Sequence, residues 1–188
     1  MLVRYADSDA SLLEQLSIAR QWMDFIKRAA GEGDCHPSII LAIGSRESLW
    51  GLALRPKGPA GTGDWCPRGF KKNIRKSTMP DDGLGFGRGL LQIDYDAHEF
   101  ARIGPWQDPE QNIIHGGRVL GQSKRFLELK LKLPERDLLR AAIAGYNCGP
   151  GNVLKAAKAG MDVDAYTAHK NYSADVLARA AWFRRHVR

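Results

Sequence analysis

Apolar residues recur at helical spacing over most of this chain. Leu12, Leu16, Ala19, Met23 and Ile26 follow one another at steps of three and four, which predicts an amphipathic N-terminal helix over about residues 10–30. Gly31-Glu32-Gly33-Asp34 ends it. Pro37 to Ser48 reads as a second, buried helix with proline in its first turn. Pro109–Leu131, Pro134–Gly145, Gly151–Ala159 and Asn171–Val187 continue the helical pattern. The last of these carries Tyr172, Val176, Ala180, Phe183 and Val187 along one face. Strand signal is confined to Leu90-Leu91-Gln92-Ile93. Arg55 to Arg88 holds many glycines and four prolines without a period, and predicts an irregular loop region. The chain therefore reads as mainly α: one compact helical domain over residues 1–188, with a small irregular or β-like region beside a cleft. No repeat or linker divides it.

Composition narrows the class only a little. A chain of 188 residues, 44% hydrophobic and 26% charged, is long enough for one substantial core. No apolar run reaches the ~20 residues of a membrane span. The N-terminal residues carry no basic segment followed by an apolar one, so no secretory signal is visible. Synthesis in the cytoplasm is expected, with any action elsewhere requiring release or export. Three cysteines, Cys35, Cys66 and Cys148, cannot all pair within one chain, and no C-x-x-C motif supports a zinc or redox site. The net charge of +7 favours anionic polymers as partners and says nothing finer. A nucleic-acid binder would rest on that charge alone, since no reading motif is present.

Candidate chemistry changes the picture more. Glu47 lies at the end of an apolar segment, four, seven and eight residues after Ile43, Ile40 and Ile39. Its carboxyl shares their helical face, where desolvation disfavours charge and raises the pKa, as a general acid near neutral pH requires. An ordinary helix-end glutamate paired with arginine is the competing structural reading. A second motif, Gly83-Leu84-Gly85-Phe86-Gly87-Arg88-Gly89-Leu90-Leu91-Gln92-Ile93-Asp94, has the glycine density that lets a ligand approach the backbone. It is neither a dinucleotide fingerprint nor a P-loop. A third, Ala144-Gly145-Tyr146-Asn147-Cys148-Gly149-Pro150-Gly151-Asn152, offers an aromatic face and an amide entering a tight turn, a pairing suited to sugars.

In this order the motifs resemble the goose-type lysozymes and the related bacterial lytic transglycosylases. The resemblance runs from about Ile18 to His186. Its landmarks are Ser45-Arg46-Glu47-Ser48, Gly89 to Asp94, Ala144 to Gly149, and Tyr172 to Arg179. It implies a lysozyme-like α+β fold and a glycosidase of peptidoglycan. The bond cleaved would be the β-1,4 link between N-acetylmuramic acid and N-acetylglucosamine, with Glu47 as catalytic acid. Gln92, in a motif where Leu91 replaces the family's methionine, and Tyr146 with Asn147 would hold the glycan. Tyr172, near the acid, would contact the glycan or serve packing, and Ser48, beside the acid, would line the cleft and contact the glycan as well. No cofactor or metal is implied, and the five histidines are scattered along the chain.

The family's two aspartates fall, on this reading, at Asp94 and at Asp82, with Asp81 offset by one. An inverting hydrolase needs a carboxylate about 6.5–9.5 Å from its acid to activate water, whereas a lytic transglycosylase lets the sugar's own 6-hydroxyl attack. The aspartates favour hydrolysis. A turn pair after Pro80 is the structural alternative for Asp81 and Asp82. The stretch between Glu47 and Gly89 is longer than in goose-type sequences. An insertion of about residues 55–80 carries Arg68, Lys71, Lys72, Arg75 and Lys76, a basic run suited to anionic envelope polymers.

The partners expected are glycan strands, with no nucleic acid and no membrane span, for a monomer acting at the bacterial wall after phage-type release or secretion-machine export. A transglycosylase, a chitin-cleaving relative, and an inactive wall-binding or phage-structural module are the competing readings.

Overall fold

A computed structural model describes residues 4–64, 80 and 82–187. Cys66, Asp81 and the basic run from Arg68 to Lys76 lie outside the described residues.

The fold is mainly helical, with one small sheet, and its centre is the helix that carries Glu47. α1 (Ala10–Ala19) and α2 (Met23–Glu32) precede it, separated by a tight turn at Arg20–Trp22. The amphipathic N-terminal segment thus forms two helices, and the turn sets Trp22 against Trp50, ring centroids 6.0 Å apart. α3 (Pro37–Ser48) starts with Pro37 after His36, whose ring accepts the Ser38 amide. Every residue from Ser38 to Ser45 is buried, so α3 is a core helix covered all round rather than a surface helix with one apolar stripe. Leu12, Leu16 and Ala19 of α1 and Ile26, Ala29 and Ala30 of α2 belong to the same core cluster as α3.

The sheet has order β1-β2-β3, antiparallel throughout: β1 (Thr62–Gly63), β2 (Gly87–Arg88) and β3 (Ile93–Asp94). Of the strand predicted at Leu90–Ile93, Ile93 alone is in a strand, as the first residue of β3, and Leu90 to Gln92 form the turn joining β2 to β3. Leu90 and Leu91 are apolar because they plug into the core, not because they pair in a ladder. β1 falls within the stretch read as an insertion.

α4 (Glu99–Ile103) is a short helix absent from the sequence pattern. α5 (Pro109–Glu128), α6 (Glu135–Cys148) and α7 (Pro150–Lys158) follow, and α8 (Tyr172–His186) closes the domain against α3. No helix among the described residues is long and apolar enough to cross a membrane.

Helices α2 and α5 approach closely through Gly117. A Cβ there would lie 2.2 Å from the Ala29 carbonyl oxygen, a backbone atom that cannot swing aside. Gly117→Ala is expected to lower stability by ~1–3 kcal/mol, the usual cost of overpacking. An unchanged denaturant midpoint would contradict that packing.

Candidate active site

The backbone that ends α3 determines where Glu47 points. Leu49 and Trp50 both adopt left-handed conformations, φ 51° and 54°, which turn the chain sharply after Ser48. The Trp50 indole folds back to donate to the Leu41 carbonyl at 3.0 Å. Glu47 is thereby held in the last helical turn, half-buried. The Tyr172 hydroxyl, from the first turn of α8, donates a hydrogen bond to Glu47 Oε1.

Desolvation is the chief influence on this carboxyl and pushes its pKa up to about 7. The Tyr172 bond opposes the rise, the Asp64 charge adds to it, and the neighbouring Arg46 opposes it least. Burial, reinforced by the Glu47 charge, also holds the Tyr146 and Tyr172 phenols well above their ordinary range, so both stay protonated.

A stability signature follows from the Glu47 shift. The native carboxyl binds its proton more tightly than the unfolded one, whose ordinary value is 4.5. The stability this confers is complete below 4.5 and is lost as pH rises through about 7. Glu47→Gln carries no charge to desolvate. It is expected to match the parent at pH ~4 and exceed it at pH ~8 by on the order of 1–3 kcal/mol. Thermal melts at the two pH values check this, and a parent–variant difference independent of pH would contradict the burial of the acid.

Three helices clamp the β2–β3 turn below the acid. The Ser48 hydroxyl of α3 donates to Leu90 O at 2.7 Å and accepts the Gly51 amide at 3.0 Å. Asn112 of α5 accepts from Leu91 N at 2.9 Å and donates to Arg88 O at 3.0 Å. Tyr146 of α6 donates to Leu91 O at 2.7 Å. Ser48 is fully buried and serves the backbone, so the structure moves it from the cleft wall to the support beneath it. The Tyr146 hydroxyl is likewise committed to the turn. Asn112 carries no signal in the sequence, where an asparagine in a helical pattern reads as a surface residue.

Gln92 sits at the end of this turn with φ 47°. Its amide donates to Gly89 O at 2.8 Å, and its Oε1 lies where a Cβ on Gly63 or Gly87 would stand, 2.3 Å away in each case. Those two strand glycines exist to admit the Gln92 side chain across the sheet. Asn147, exposed at the end of α6, accepts from Ala168 N at 2.9 Å and ties α6 to the turn preceding α8.

The two aspartates differ from expectation in one respect. Asp94 ends β3, exposed, with its carboxylate accepting the Ala97 amide at 2.8 Å. Asp82 instead pairs with Arg88 at 2.7 Å and accepts Leu84 N at 3.0 Å. Arg88 is 1% exposed. It also donates to Gly85 O and Ala101 O and lies between the rings of Tyr95 and Trp106. Asp82 is thus the counter-ion of a buried structural arginine.

The carboxylate that does face the acid is Asp64, directly after β1, at φ 50°. Burial first and the Asp94 charge second raise its carboxyl above the ordinary range, while its own charge raises Glu47. Glu47, Asp64 and Asp94 therefore form one electrostatic group. The signal for Asp64 was Gly61-Thr62-Gly63-Asp64, a glycine-flanked strand too short for any periodicity to reveal.

Among the histidines, His98 and His115 do meet, ring centroids 5.6 Å apart, with Phe100 stacked on His115. Burial pushes the His115 imidazole down to about 4. The described residues hold no group of three or more side chains suited to a metal ion. Cys35 and Cys148 are free thiols.

A helical domain whose central helix ends in a largely desolvated carboxyl, beside carboxylates at a small sheet, has the architecture of the lysozyme-like folds. A family model described as Lysozyme g matches residues 71–187, and the chain belongs to that family. Lysozyme g of Gallus gallus is 34% identical over 163 residues, covering 86% of this chain and 63% of the relative. That of Struthio camelus is 30% identical over 162 residues, covering 86% and 65%. That of Takifugu rubripes is 30% identical over 189 residues, covering 96% and 80%. The chain thus spans just under two thirds of the length of the two bird relatives.

Proposed function

We propose that this chain is a muramidase, hydrolysing the β-1,4 bond between N-acetylmuramic acid and N-acetylglucosamine in peptidoglycan. The observation that carries the reading is the Glu47 carboxyl at the end of the buried helix α3, bonded by the Tyr172 hydroxyl, its pKa pushed up to about 7 by burial, in a site bordered by the carboxylates of Asp64 and Asp94. Glu47 donates its proton to the glycosidic oxygen, and the departing sugar leaves an oxocarbenium-like centre. Asp64, with Asp94 beside it, activates the water that attacks from the opposite face. Such a division of labour gives inversion. Tyr172 orients the acid, while Gln92 and Asn147 line the path of the glycan.

Asp64 and Asp94 favour hydrolysis over intramolecular attack by the muramic 6-hydroxyl, which needs no second carboxylate. The experiment is digestion of purified sacculi and, separately, of chitin oligomers. Soluble muropeptides from the first support the reading. Cleavage of chitin alone would replace it with the chitinolytic alternative, and cleavage of neither would return the protein to the inactive wall-binding class.

A further inference from the structure

Arg46 precedes the acid in the chain, yet its charge is the weakest of the influences on Glu47. Arg46 is engaged instead in a largely buried network between α3 and α8. Asp175, 4% exposed on α8, accepts from Arg46 Nη1 at 3.0 Å, from Arg179 Nε at 2.9 Å and from the Tyr5 hydroxyl. Arg179 in turn donates to Ser45 Oγ at 2.8 Å, and Ser45 donates to the buried Gln15 at 2.6 Å. Burial acts to raise the Asp175 carboxyl, but the Tyr5, Arg179 and Arg46 contacts outweigh it and hold it below the carboxylate range. It is a fixed anion. The Arg46 guanidinium, so anchored, leans over the Tyr172 ring at 5.8 Å and reaches Asn171 Oδ1 at 3.4 Å.

We propose that Asp175 is a positioning residue that withholds the Arg46 guanidinium from the Glu47 carboxyl. Four groups from four elements face that carboxyl: Arg46 on α3, Tyr172 on α8, Tyr146 on α6 and Asp64 after β1. Only Arg46 carries positive charge. An arginine released to pair with a carboxylate lowers its pKa by ~1–3 units. That would deprotonate the acid at the pH where it must donate. Asp175 gives Arg46 an ion-pair partner on the neighbouring helix that Arg179 and the Tyr5 hydroxyl already hold as an anion, and the Tyr5 bond ties it to the N-terminal segment. This role rests on the assignment of Glu47 as the acid.

The test is a carboxyl ¹³C NMR titration of Glu47, which needs no activity, alongside the alkaline limb of kcat/KM. Asp175→Asn is expected to lower the Glu47 midpoint by ~1 unit or more. In an Arg46→Gln background the same change is expected to have little effect, because the competing cation is gone. An equal drop in both backgrounds would show a direct charge effect and overturn the proposal, as would no drop in either. If Asp175→Asn does not fold, Arg46→Gln alone decides. A shift of at most ~0.3 units fits a cation already withheld, and a rise of ~1 unit overturns it. An active Glu47→Gln enzyme would defeat the functional reading while leaving the titration result to stand by itself.

Discussion

Glu47→Gln is expected to lower the rate of glycan cleavage by ~10²–10⁴-fold, the range for loss of a general acid, with its fold intact. Glutamine keeps the size of the side chain and can still accept the Tyr172 hydrogen bond, but it has no proton to give. Release of soluble fragments from sacculi measures the effect, and the circular dichroism spectrum verifies the fold. Activity within a few-fold of the parent would remove Glu47 from the chemistry. Because the same variant is expected to be more stable at alkaline pH, a fall in rate cannot be attributed to unfolding. The stability and activity arms move in opposite directions, the mark of a residue buried for its function.

The second large effect separates Asp64, which no sequence motif marks, from Asp82, which the glycine motif does. Asp64→Asn is expected to reduce cleavage by ~10²-fold or more, by removing the carboxylate proposed to activate water. It also removes a like charge from Glu47, so the alkaline limb of the pH profile is expected to move to lower pH. Asp82→Asn is expected to leave the rate within several-fold and to act on stability instead. It strips Arg88 of its one charged partner among the described residues, a loss on the order of 1–3 kcal/mol. Rates and unfolding midpoints measured for the pair decide between them. The reverse pattern, with Asp82 controlling rate and Asp64 controlling stability, would return the water-activating role to Asp82.

The helices were legible because their apolar faces repeat. Leu12 to Ile26 and Tyr172 to Val187 each present a stripe that must be buried, and Pro37, Pro109 and Pro150 mark first turns. Glu47 was legible for the same reason, as a carboxyl in phase with Ile39, Ile40 and Ile43. The small sheet was not legible, because strands of two residues carry no period. Leu90 and Leu91 mimicked a strand while packing as a buried turn. Asp82 stands close in sequence to the glycine motif, whereas the carboxylate whose charge reaches Glu47 is Asp64. Pairing across β1 and β2 brings Gly63 opposite Gly87 and carries the residue that follows Gly63 to the site. Ser48, Asn112 and Tyr146 show a further limit: each looks like a binding residue or a surface residue until the backbone atoms they serve are known.

The most direct measurement of the central claim is mass spectrometry of fragments released from sacculi in ¹⁸O-labelled water. An acid at Glu47 with water activated at Asp64 and Asp94 predicts reducing muramic ends carrying one labelled oxygen at the anomeric carbon. Unlabelled 1,6-anhydromuramic ends would show attack by the sugar's own hydroxyl and contradict the role given to both aspartates.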